Sequence, residues 1–116
     1  MDQKEILSLL LPEGLLEYFD VIQVEKTPEF YAIHLEEKNI VPVQYKDSKL
    51  ASKGFYEPIT IHDFPLRGKA CYLMVKRRRW TNLDTGGIVV RDWEIVAKGT
   101  RMTAEFAAFL KAINRR

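Results

Sequence analysis

Residues 69 to 80 read KACYLMVKRRRW. No glycine or proline interrupts the run, and Cys, Tyr, Leu, Met and Val favour an extended backbone. The run therefore predicts one long strand, 69–80. Its first half, ACYLMV, is apolar and suits a core. Its second half puts cations on both faces, because successive side chains of a strand point to opposite sides. Arg77 and Arg79 share one face; Lys76, Arg78 and Trp80 share the other. A strand of this kind starts in a core and runs out of it as a ribbon.

The other segments fit around that strand. DQKEILSLLL opens with Asp2 and Glu5, a capping-box spacing, and Ile6, Leu7, Leu10 and Leu11 then lie on one helical face until Pro12 stops the helix. PEGLLEYF allows a second short helical turn, with Pro at a first helical position. FDVIQVEK and FYAIHLEE read as two strands joined by the turn-like KTPE, hence a hairpin. In the first, Phe19, Val21 and Gln23 would share a face. Residues 37–58 have no clear period and read as an irregular connection with a helical turn near YKDSKLAS. ITIHDF and the strand 69–80 flank PLRG, which is turn chemistry. NLDTGG then leads to the strand IVVRDWEIV, completing a basic meander. In TAEFAAFLKAINRR, Thr103 is a good N-cap, and Phe106, Phe109, Leu110 and Ile113 follow the i, i+3, i+4, i+7 pattern. The expected fold is a small single α+β domain, 1–116, with antiparallel hairpins between an N-terminal helix and a C-terminal amphipathic helix. It divides into 1–36 (helix plus hairpin), 37–58 (connection) and 59–116 (basic meander plus helix).

Composition narrows the function. At 116 residues, 47% apolar and 29% charged, the chain is an ordinary globular domain with one modest core. No apolar run approaches the ~20 residues of a membrane span, and ILSLLL lacks the basic start and cleavage site of a secretory signal. The expectation is a cytoplasmic protein with no membrane partner. The lone Cys71 reads as a buried small hydrophobe. Charge is uneven: residues 1–58 carry six Lys and Arg against eleven Asp and Glu, and residues 59–116 carry twelve against five. A net −5 half joined to a net +7 half hints at nucleic-acid contact.

Catalytic signals are absent from the pattern. His34 and His62 sit on separate strands and read as packed or solvated residues. One Cys and two His make no closed zinc site, and DTGG lacks the strand-to-helix setting of a phosphate loop. Asp63, Asp92 and Glu94 could meet in space, but nothing in their spacing places the three carboxylates together. The expectation is a non-enzyme with no cofactor and no metal.

The cation run remains. Its partner strand supplies Arg91, Asp92, Trp93 and Glu94. A two-residue turn at Thr85-Gly86 places Arg79 opposite Asp92 and Arg77 opposite Glu94. A three-residue turn, Asp84 to Gly86, places Arg78 opposite Asp92 and Lys76 opposite Glu94. Either register answers two cations and leaves two. Such pairs contribute about 0.2–1 kcal/mol each, enough to order a ribbon. A solvated, salt-bridged ribbon is one reading. Phosphate contact is the other, since a two-stranded ribbon fits a major groove. The candidate nucleic-acid-binding residues are Lys76, Arg77, Arg78, Arg79, Trp80, Arg67, Lys69, Arg91, Trp93, Lys98 and Arg101. Trp80 and Trp93 have three roles open to them: core packing, cation–π contact, or stacking on unpaired bases.

EPITIHDFPLRGKACYLMVKRRRW resembles a segment in the N-terminal region of insertion-sequence transposases of the ISL-three type. There, a strand ending in Asp-Leu-Pro leads through a Gly-containing turn to a strand ending in Arg-Arg-Arg-aromatic. This chain has Asp63-Phe64-Pro65, Gly68, then Arg77-Arg78-Arg79-Trp80. RMTAEFAAFL is similar to the Thr-led helix that follows in those proteins, and LPEGLLEYFDVIQVEK to their opening segment. The likeness spans nearly the whole chain and is greatest to an ISAon-one-like subgroup with a separate short reading frame. The wider family carries two Cys-x-x-Cys halves of a zinc ribbon. Here TNLDTGG and NIVPVQYKDS stand in those places, so the Asp84–Gly87 turn would have to hold the hairpin. The resemblance implies a bacterial DNA-binding module recognising double-stranded transposon ends, with nucleotidyl chemistry in a separately encoded RNase-H-like part. It is compatible with a homodimer. The alternative is a non-enzymatic interaction module that docks the catalytic chain.

Overall fold

The computed structural model describes residues 3–93 and 104–114. In chain order these form α1 (Gln3–Leu10), α2 (Leu15–Tyr18), β1 (Phe19–Lys26), β2 (Phe30–Glu37), a 3-10 turn (Val43–Tyr45), β3 (Leu50–Phe55), β4 (Ile59–Leu66), β5 (Lys69–Lys76), β6 (Arg78–Asn82), β7 (Ile88–Val90) and α3 (Ala104–Asn114). The fold is α+β. Asp2, Glu94, Lys98, Arg101, Thr103, Arg115 and Arg116 lie outside the described residues.

Two sheets form. The larger has the order β1-β2-β5-β4 and the smaller β3-β6-β7. The expected β1–β2 hairpin is present. Its loop is fixed by Thr27, whose hydroxyl oxygen accepts the Phe30 N–H at 2.9 Å and the Glu29 N–H at 3.2 Å. The imperfect alternation in FDVIQVEK has a cause. Val21 pairs with Leu35 and Gln23 with His34, so Ile22 is the extra residue of a bulge. A bulge resets the side-chain parity: Phe19 and Val21 share the core-side face with Val24 rather than with Gln23.

The strand expected over 69–80 is two strands. β5 pairs in parallel with β2, from Phe30↔Ala70 to Glu36↔Lys76, and β6 belongs to the other sheet. The expected meander is therefore broken at Arg77. The connection expected to be irregular over 37–58 holds a short 3-10 turn and β3, which pairs with β6. β4 and β5 meet in a two-residue turn in which both Arg67 (φ 51°) and Gly68 (φ 79°) are left-handed, the geometry that matches strand twist. Pro65 sits in β4, an edge strand of this sheet, where its missing N–H costs no ladder bond.

Helices cover one face of the larger sheet. Phe106, Phe109, Leu110 and Ile113 of α3 are all buried, as their spacing predicts, and join Leu11, Leu15, Leu16, Phe19, Ile33, Leu35, Leu73, Val75 and Trp93 in one cluster. Of the four apolar residues expected on the first helical face, Leu7 and Leu11 pack, whereas Ile6 and Leu10 are exposed. Cys71 is buried, and burial pushes its thiol up, with Asp63 adding to the shift. Both features disfavour the reactive thiolate.

Gly14 joins α1 to this layer. It is left-handed, φ 86°, and a Cβ there would lie 3.0 Å from the Phe106 ring. Gly14→Ala should lower stability by about 1–2 kcal/mol from backbone strain alone, with ring displacement adding to it, as read from urea unfolding midpoints.

Candidate nucleic-acid interface

At Arg77 the chain leaves one sheet for the other, and its main-chain groups there need new partners. The Arg77 carbonyl accepts the Tyr56 N–H at 2.9 Å. The Arg78 N–H donates at 3.0 Å to Oε1 of Glu37, the last residue of β2. Glu37 is 1% exposed and also receives Arg91, whose Nε donates to Oε2 at 3.2 Å. One buried carboxylate thus holds the strand switch and a guanidinium together.

Two arginines of the candidate set are consumed by this arrangement. Arg78 turns inward: its Nε donates to the Glu37 carbonyl at 3.0 Å, a second nitrogen donates to the Ser52 hydroxyl, and the guanidinium lies 4.6 Å from the Phe55 ring centre. Arg91 is buried, donates also to the Ile40 carbonyl, and lies 5.1 Å from the Tyr18 ring and 5.7 Å from that of Trp93. Neither guanidinium is presented to a ligand.

Both tryptophans are core residues, which corrects their place in the candidate set. Trp80 is fully buried and its Nε1 donates to Asn39 Oδ1 at 2.8 Å. Trp93 stacks on Phe19 at 5.4 Å, interplanar angle 17°, with Tyr18 edge-on at 5.5 Å. No indole face is open to a base.

The expected registers also fail. The β6–β7 loop spans Leu83–Gly87, so Arg79 pairs with Val90 and Trp80 with Val89. Asp92 lies beyond the end of β7, and Glu94 is outside the described residues. The loop is held by Asn82, whose side chain accepts the Asp84 N–H at 2.9 Å, and by Thr85, which accepts the Gly87 N–H at 3.2 Å. Asn82 and Thr85 thus make the local bonds of the turn that includes Asp84–Gly87.

Arg77 and Arg79 are half-buried, with their Nε atoms enclosed. They approach one ring, Tyr56, at 5.1 and 5.6 Å. Among the described residues no carboxylate pairs with Arg79. The smaller sheet and its loops also carry Lys46, Lys49 and Lys53, all exposed. Lys53 is the extra residue of a bulge between Ser52 and Gly54, and Gly54 supplies its φ of 103°. These lysines and Tyr56 went unrecognised because their stretch shows no strand period. The one signal was the recurrence of Lys at 46, 49 and 53.

The rest of the candidate patch is dispersed. Lys76 pairs with Glu36 at 3.7 Å. Arg67 and Lys69 sit at the far end of β5, roughly 25 Å along the strand from Arg77. Lys69 donates to the Thr27 carbonyl at 3.2 Å and lies over Tyr31. His34 lies 3.2 Å from Glu25, and His62 packs edge-on to Tyr72 at 4.9 Å. Among the described residues, no three His, Cys, Asp or Glu side chains gather at metal-holding distance.

Burial pushes the Glu37 carboxyl above its ordinary 4.5, against the pull of the Arg78 amide and the Arg91 guanidinium. A carboxyl raised on folding contributes stability that is complete below its unfolded pKa and is lost as pH rises through the folded value. The stability excess of wild type over Glu37→Gln should therefore be largest below pH ~4.5 and narrow above it. Glu37→Ala should cost about 3–5 kcal/mol at neutral pH, because Arg91 stays buried without its carboxylate. Urea unfolding across a pH series reads both. No protein-family model, curated protein or solved structure matches this chain.

Proposed function

We infer that the chain is a duplex-DNA-binding module, the N-terminal part of a transposase acting at transposon ends, with the cutting and joining chemistry in a separate RNase-H-like chain. The observation that carries the reading is the segregation of charge onto the smaller sheet. Residues 38–57 and 77–91, which build that sheet and its loops, hold eight Lys and Arg against three Asp and Glu. Residues 1–37 hold two against nine. Among the described residues that sheet offers a polyanion the largest excess of cations, and there Arg79 lies over an aromatic ring. Among the described residues no carboxylate answers Arg79, and a guanidinium is the side chain that best matches a phosphate.

The contact set this supports is Lys46, Lys49, Lys53, Arg77 and Arg79. It differs from the set read off the cation run, since Arg78 and Arg91 serve the fold and the indoles are buried. The similarity to the transposase segment through Asp63-Phe64-Pro65 and Arg77-Arg78-Arg79-Trp80 supplies the biological setting.

Neutralising four or five phosphates gives a slope of log K against log salt of about −4. Replacing Lys53 or Arg79 by Ala should make that slope shallower by about one each and weaken binding to all duplexes alike. Electrophoretic shifts from ~50 to 200 mM salt measure both. No shift at low salt with any duplex, or a slope unmoved by both variants, sinks the proposal. A terminal-repeat duplex bound no better than an unrelated one removes the transposon-end reading and leaves general DNA binding.

A further inference from the structure

We propose that the cleft between β4 and α3 receives a cationic, extended segment of another protein chain, added as a strand to β4. The cleft has a volume of about 620 Å³, and its apolar floor includes Ile61, Leu73 and Phe109. Ile61 and Asp63, from the helix-side face of β4, line it together with His62 and Phe64 from the other face. The cleft therefore runs along the edge of the strand. β4 ends the larger sheet, and among the described residues no strand pairs with its outer side. An edge strand presents unpaired N–H and C=O groups to whatever lies beside it.

The length of this edge that suits an added strand is limited. Pro65 has no N–H to give, and the pairing of β4 is irregular between Asp63 and Leu66. Such devices blunt an edge, so the usable stretch is Ile59–Asp63, enough for an added strand of four or five residues. Across the cleft, α3 presents Ala108 and Ala112, whose small side chains leave width for those of an incoming strand.

Charge selects the occupant. Asp63 and Glu105 stand at the cleft, and an adjoining hollow of about 580 Å³ shares Pro12 and Glu105 and adds Glu13 and Glu17. Lys38 and His62 are the basic residues against these four carboxylates. Nucleic acid is repelled by such a rim. An extended peptide satisfies every feature: its main chain pairs with β4, alternate apolar side chains enter the floor, and a flanking Lys or Arg meets the carboxylates. The cleft shares no residue with the cationic face of the smaller sheet, so the proposal stands whether or not that face binds DNA.

The test is selection of a phage-displayed random linear peptide library on the full chain, then fluorescence polarisation with the selected peptides. Enriched sequences should alternate β-branched or aromatic residues with Lys or Arg. Ala108→Trp, which fills the cleft, and Glu105→Lys, which reverses its charge, should each weaken binding tenfold or more. Both positions are exposed, so both variants should fold, and both should leave duplex-DNA affinity unchanged. Amide exchange along Ile59–His62 should slow when peptide binds. No enriched peptide, a consensus with helical spacing, or peptides that bind both variants as well as wild type overturns the proposal.

Discussion

A single carboxylate at the end of β2 decides how this chain is built. Without Glu37, the Arg78 amide would leave the first sheet with no acceptor, and the Arg91 guanidinium would be buried without a counter-charge. Burying a carboxylate is costly, and the upward shift of its pKa shows that its partners do not fully offset the cost. What it does in the fold is hold the Arg78 amide and the Arg91 guanidinium at one point. A hydrophobic replacement of both Glu37 and Arg91 would remove the two charges together, yet would leave the Arg78 N–H unpaired at the strand switch.

The switch in turn makes the two sheets. Because β5 stops at Lys76 and β6 begins at Arg78, the apolar half of one continuous run builds the helix-covered sheet and the cationic half builds the smaller one. Trp80 is then drawn inward and anchored on Asn39. Alternation puts Arg78 on the same inward side, while Arg77 and Arg79 both lie over Tyr56. The run that looks in sequence like a uniformly charged surface is half structural.

Much of the fold was legible because it is local. The β1–β2 hairpin follows from its turn, and α3 follows from four apolar residues at helical spacing. The rest was hidden because it is not local. Glu37 and Arg78 are separated by 41 residues, and nothing in KACYLMVKRRRW marks Arg77 as a break. β3 lacked a readable alternation because a bulge at Lys53 and a left-handed Gly54 disturb it. The candidate site was legible at Arg77 and Arg79. Arg91 misled because an isolated arginine beside an aspartate looks solvent-facing, whereas its partner lies 54 residues upstream.

The parallel pairing of β2 with β5 has a consequence for synthesis. The strands pair with an offset of forty residues, Phe30 with Ala70. While a ribosome is still delivering the intervening chain, β2 has no β5 to pair with along one flank. Such a flank is a template for the wrong neighbour. The partner for that flank exists only once Lys69–Lys76 has been made.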